Sequence, residues 1–150
     1  MNAILERNDA HSPHERFEHV IAEHAPYILQ EGFRLTTQRE YAEVLQSIEN
    51  HKYLINERIP FEITMEQALF SWYENVYRPM TRVIDEEGLL WCFPKATPGQ
   101  LFLWVTRHWH FLKQEKQRDI SMEEAVYSFG IQYGSGVFNR FLYRLRRKSA

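Results

Sequence analysis

The chain has 150 residues, with 18 Lys and Arg against 20 Asp and Glu and a formal net charge of −2. That balance excludes a globally basic nucleic-acid binder and an acidic disordered tail. No run reaches the ~18 uninterrupted apolar residues of a membrane span, and the single cysteine, Cys92, excludes a disulfide framework or a cysteine-built zinc site and fits a reducing cytoplasm.

Taken in chain order, residues 1–11 lack the apolar stretch of a secretory signal and read as a disordered tail. From residue 12 the chain reads as a single helical domain punctuated by capping pairs. Ser12/Glu15, Thr37/Glu40, Thr64/Gln67, Thr97/Gln100 and Ser121/Glu124 each place a hydroxyl three residues before Glu or Gln. This is the spacing at which the two side chains can satisfy each other's exposed backbone N–H groups. Pro13 and Pro98 fall at the first helical position, where a missing N–H is harmless.

The apolar spacing follows the helical period. Val44, Ile48, Leu54 and Ile55 form one stripe, Met65, Ala68, Leu69, Trp72 and Val76 a second, and Leu101, Trp104, Val105, Phe111 and Leu112 a third. These signals predict helices at about 13–24, 38–56, 65–87, 98–117, 122–133 and 137–147. The fold class is all-α, a compact bundle of about six helices. Pro79 predicts a kink or break near Tyr77–Arg78, and Gly88 followed by Leu89 predicts a left-handed stop. Asp85, Glu86 and Glu87 crowd a helix C-terminus, where the dipole disfavours anions. They read as a solvated acidic corner or a docking point for a cationic segment.

Sliding the chain by 57 residues aligns Val44–Trp72 with Leu101–Phe129 without a gap. His51 meets His108, Ile63 meets Ile120, Met65 meets Met122, Ala68 meets Ala125 and Ser71 meets Ser128. The pattern predicts two helix-turn-helix repeats, about 37–88 and 97–134, packed about a pseudo-two-fold axis, with a basic helix at 137–148 after them.

The stretch Trp72-Tyr73-Glu74-Asn75-Val76-Tyr77-Arg78-Pro79, with Ile84–Leu90, Phe93-Pro94 and Leu101–Val105, resembles a helical module of unknown function. That module occurs in bacterial proteins that also carry a ParB/sulfiredoxin-like N-terminal domain. The resemblance covers about residues 35–115, and the ParB-like domain itself is absent from this chain. It implies a helical architecture and a bacterial cytoplasmic setting. It brings no catalytic residues.

No zincin, phosphate-loop or nucleophile-elbow motif is present. His108 and His110 lie two apart on a helix, about 200° around it, and cannot share one ion. His51 and His108 occupy equivalent repeat positions. Facing repeats would bring them together as a metal pair with Glu66 or Glu123, while the plainer reading makes each a hydrogen-bonded core histidine. His19 and His24 with Glu15, Glu18 and Glu23 match no metal motif. Gly134–Gly136 reads as a hinge, and Cys92 as a packed small hydrophobe.

The rings Trp72, Tyr73, Tyr77, Trp91, Phe93, Trp104 and Trp109 read mainly as core. Trp104 and Trp109 fall on different helix faces, which makes one of them a candidate interface anchor. At the C-terminus, Phe138, Phe141, Leu142 and Leu145 form one helical face. Arg140, Tyr143, Arg144 and Arg147 form another, suited to protein docking or to phosphates with Tyr143 as a stacking ring.

The sequence favours a non-enzymatic interaction module that binds a protein partner or itself, with no cofactor and no membrane. Nucleic-acid association is the next reading, and a metal- or ligand-binding enzyme at the repeat interface the third.

Overall fold

Five of the predicted helices start where their capping hydroxyls place them. A computed structural model describes residues 11–134. Among these residues the chain is helical, with no strand. Ser12, Thr37, Thr64, Thr97 and Ser121 each accept a hydrogen bond from the amide three residues on. In the first four the Glu or Gln side chain returns to the cap's own N–H, closing the reciprocal pair. Ser121 is different. The Glu124 carboxylate is taken by the Arg118 guanidinium at 2.7 and 3.2 Å, a two-pronged charge-assisted bond that outcompetes the return to a backbone N–H.

The chain divides into two compact units between Tyr77 and Arg78. In the first, α1 (Pro13–His24) packs on α3 (Gln38–Arg58) and α4 (Met65–Trp72), with a one-turn helix α2 (Tyr27–Gln30) between α1 and α3. Phe17, Ile21, Ile28, Val44, Leu45, Ile48, Leu69 and Trp72 fill its core. Phe33 sets its ring against Phe17 and Tyr77, at centroid separations of 5.2 and 5.1 Å. The polar edge of the Trp72 ring is satisfied by Ser47, 3.0 Å from the indole N–H.

The break expected from Pro79 takes a specific form. Residues Tyr73–Tyr77 make a π-helical turn directly before α5 (Arg78–Glu86). A proline crowds the carbonyl four residues back, here that of Asn75, and cannot donate to it; widening that turn relieves both problems.

The second unit builds on α5, a 3₁₀ turn (Leu89–Cys92), α6 (Pro98–Lys116) and α7 (Met122–Tyr133). Gly88 adopts the predicted left-handed conformation, φ 75°, and Leu89 behind it is buried. Met80, Ile84, Leu89, Cys92, Leu101, Phe102, Val105 and Leu112 are buried with the α7 residues Ala125 and Val126.

Three expectations about burial fail. Trp91 is not core: the 3₁₀ turn points successive residues outward and inward, leaving Trp91 65% exposed while Cys92 is buried. Leu54 and Phe111, assigned to apolar stripes, are each 52% exposed near the ends of their helices. The predicted helix 137–147, with the rest of the segment from Ser135 on, lies outside the described residues.

Candidate functional site

Turn α6 so that Trp104 faces the viewer, and Arg107, His108 and Phe111 follow at i+3, i+4 and i+7 on the same face. Phe129 and Tyr133 approach from α7, and Phe93 from the loop that follows the 3₁₀ turn. Together they line a groove of about 510 Å³. Its walls are rings in mutual contact: Phe93 lies edge-on to Trp104 at 6.1 Å and beside Phe129 at 5.3 Å, and Phe129 lies 5.1 Å from Tyr133. Phe111 and Tyr133 are both about half exposed at its edge. Everything that forms it belongs to the second unit.

His108 sits in the floor. Its Nε2 is 2.9 Å from Ser128 Oγ, a bond that ties α6 to α7, and its ring meets Phe129 and Tyr133 edge-on. Burial holds its pKa below the ordinary histidine value, opposed by the more distant Glu115 carboxylate. The imidazole is therefore neutral at pH 7.

The first unit contains the same link. His51 Nε2 is 2.8 Å from Ser71 Oγ, tying α3 to α4, and burial again lowers the pKa. A serine hydrogen-bonded to a neutral histidine has the outward form of a hydrolytic pair. Two observations speak for a structural tie instead. The pair recurs in the first unit at the 57-residue offset, and no carboxylate hydrogen-bonds either ring among the described residues to orient it. Nor do three His, Cys, Asp or Glu side chains converge on a possible metal position among those residues.

The two candidate tryptophans have different fates. Trp104 is half-buried and lines the groove. Trp109, also half-buried, donates its indole N–H to the Ile120 carbonyl at 2.7 Å and carries the Lys113 ammonium over its ring at 4.2 Å. It is a strut holding the turn into α7. His14, His19 and His24 form surface pairs with Glu18 and Glu23, at 3.0 to 3.7 Å. Arg140, Tyr143, Arg144 and Arg147 lie outside the described residues.

The sequence does not single out Arg107, Phe129 and Tyr133, and it reads Phe93 and Phe111 only as core. A signal was present for part of the set, since Trp104, Arg107, His108 and Phe111 share one helical face.

A second cavity, of about 460 Å³, lies in the first unit beside His24, Tyr27, Glu66 and Phe70. The Tyr27 hydroxyl is buried there without a hydrogen-bond partner. Burial raises its pKa, and Glu74, Glu31 and Glu66 raise it further. No helix among the described residues is long and apolar enough to cross a membrane. Compared with known proteins, the chain matches no family model, no curated protein and no solved structure.

Proposed function

We propose that the chain is a helical interaction module whose α6–α7 groove receives an amphipathic helix from a protein partner. The observation that carries this reading is the pair Phe111 and Tyr133, two large rings left half exposed at the edge of a surface otherwise built of packed aromatics. Rigid aromatic side chains give much contact area for little lost rotamer entropy. A shallow apolar trough between two helices suits side chains repeating at i, i+3, i+4 and i+7. Arg107 puts a cation on the lining, which favours a partner helix carrying acid on its polar side.

The test is selection of helix-forming peptides from a display library on the wild-type chain, with binding then measured to Phe111→Ser. Selected peptides with that apolar spacing, and affinity reduced by about ten-fold or more in the variant, support the reading, since a buried ring at an interface contributes 1.4 kcal/mol or more, roughly a factor of ten. Peptides that bind both chains equally, or a chain that self-associates through another face and selects none, overturn it.

A further inference from the structure

We infer that the cavity beside His24, Tyr27, Glu66 and Phe70 in the first unit is a site for a small organic ammonium ion. It shares no residue with the α6–α7 groove. At about 460 Å³ it has the size of a small-ligand pocket, for which roughly 300–1,000 Å³ is usual. Two rings line it. Phe70, on α4, is 59% exposed, although Ala68, Leu69 and Trp72 on the same helix are fully buried. Tyr27, from α2, packs edge-on to Tyr73 at a centroid separation of 5.5 Å. The face of an aromatic ring attracts a cation within about 6 Å of its centroid, so these walls favour a cation over an anion.

The surrounding charge selects the same sign. Glu66 lines the cavity, and burial together with the carboxylates of Glu74, Glu31 and Glu66 holds the Tyr27 phenol protonated. Tyr73 and Glu74 open the π-helical turn, and the Tyr73 hydroxyl donates to Glu31, tying that carboxylate to the ring packed on Tyr27. None of the described residues that line the cavity is Lys or Arg, and His24 lies 3.7 Å from the Glu23 carboxylate. Two helix ends of opposite sign also meet here, since α1 ends at His24 and α4 starts after Thr64. Each is equivalent to about half a charge, so they offset each other and the carboxylates set the sign. The Tyr27 oxygen has no hydrogen-bond partner and is left to accept an N–H from such an ion.

The experiment is titration of the full chain with n-butylammonium chloride at constant ionic strength, followed by the amide NMR spectrum, with 1-butanol as a neutral probe of the same shape. Butylammonium is expected to give saturable shifts at residues 24–31 and 64–74, with a Kd about ten-fold or more below that of 1-butanol. Glu66→Gln, Phe70→Ala and Tyr27→Phe should each weaken butylammonium binding by about three-fold or more. Glu66 and Phe70 are exposed, and the Tyr27 hydroxyl has no hydrogen bond to lose, so all three variants should fold. Unchanged α6 amide signals check that they do. Absence of saturable shifts at those residues in the wild type overturns the inference. Equal affinity for butylammonium and 1-butanol, or butylammonium affinity unchanged in all three variants, overturns it as well.

Discussion

His108 joins α6 to α7 through Ser128, and 57 residues earlier His51 joins α3 to α4 through Ser71, with Nε2–Oγ distances of 2.9 and 2.8 Å. The bonds match but their surroundings do not. His108 is buried, whereas His51 is half-buried, and the Ser71 hydroxyl also accepts from the Asn75 amide at 3.2 Å. Removing the serine at each site should therefore have unequal effects. Ser128→Ala strands a buried imidazole nitrogen, and urea unfolding should show a loss of about 1–3 kcal/mol. At Ser71→Ala, water can reach the ring and the expected loss is below about 1 kcal/mol. A larger loss at Ser71 than at Ser128 would show that burial does not govern these bonds.

Both imidazoles are held below the ordinary histidine pKa by burial. The folded state thus disfavours the charged form that the unfolded chain adopts below a pH of about 6.5. The stability associated with neutral rings is fully present above that value and is lost as the pH falls through the lowered folded values. The urea midpoint should drop between pH 7.5 and pH 5, and the drop should be smaller in His51→Leu/His108→Leu. An equal drop in the double variant would assign the acid sensitivity to other groups.

Much of the fold was legible because the signals are local. A hydroxyl three residues before a Glu or Gln fixes a helix start whatever packs on it, and the mismatch around Pro79 is resolved within one turn of its own helix. The signal failed where a second partner entered. Nothing in the Ser121–Glu124 spacing announces that Arg118 captures the carboxylate. The groove was only half legible: α6 carries Trp104, Arg107, His108 and Phe111 on one face, but Phe93 joins them only because a 3₁₀ turn at Leu89–Cys92 redirects the chain. The reading of Trp91 as a core ring failed too, because the 3₁₀ turn buries Leu89 and Cys92 and leaves Trp91 outside.

The two tryptophans at opposite extremes of burial give a direct check on that correction. Trp72 is fully buried, and Trp72→Ala should cost about 3–5 kcal/mol through the cavity it leaves and the lost bond to Ser47. Trp91→Ala should change stability by no more than about 0.5 kcal/mol, as expected for an exposed site. Comparable losses in denaturant unfolding would place Trp91 back in the core.

Gly32 follows the short helix α2 with φ 86°, and a Cβ built there meets nothing within 4 Å. The effect of Gly32→Ala is then backbone strain alone, about 1–2 kcal/mol by calorimetry or urea unfolding. Gly32→Asn, a residue that tolerates the left-handed region better, should lose less. A neutral alanine would mean that the turn relaxes out of that conformation.

The last prediction concerns the arginines beyond the described residues. From residue 137 on, four Arg and one Lys give +5 with no acid, leaving −7 on the rest of the chain. If all five cations met phosphates, log K would fall against log salt with a slope of about −4.5. The −7 carried elsewhere opposes approach of a polyanion, with a reach set by a Debye length of about 8 Å at physiological salt. The arginines should therefore hold nucleic acid weakly at low salt, and short DNA and RNA should show no binding at physiological salt. The comparison is with Arg140→Ala/Arg144→Ala/Arg147→Ala, which should differ from wild type only at low ionic strength. Tight binding at physiological salt that the triple variant loses would turn the arginine face, and not the aromatic groove, into the working surface of the molecule.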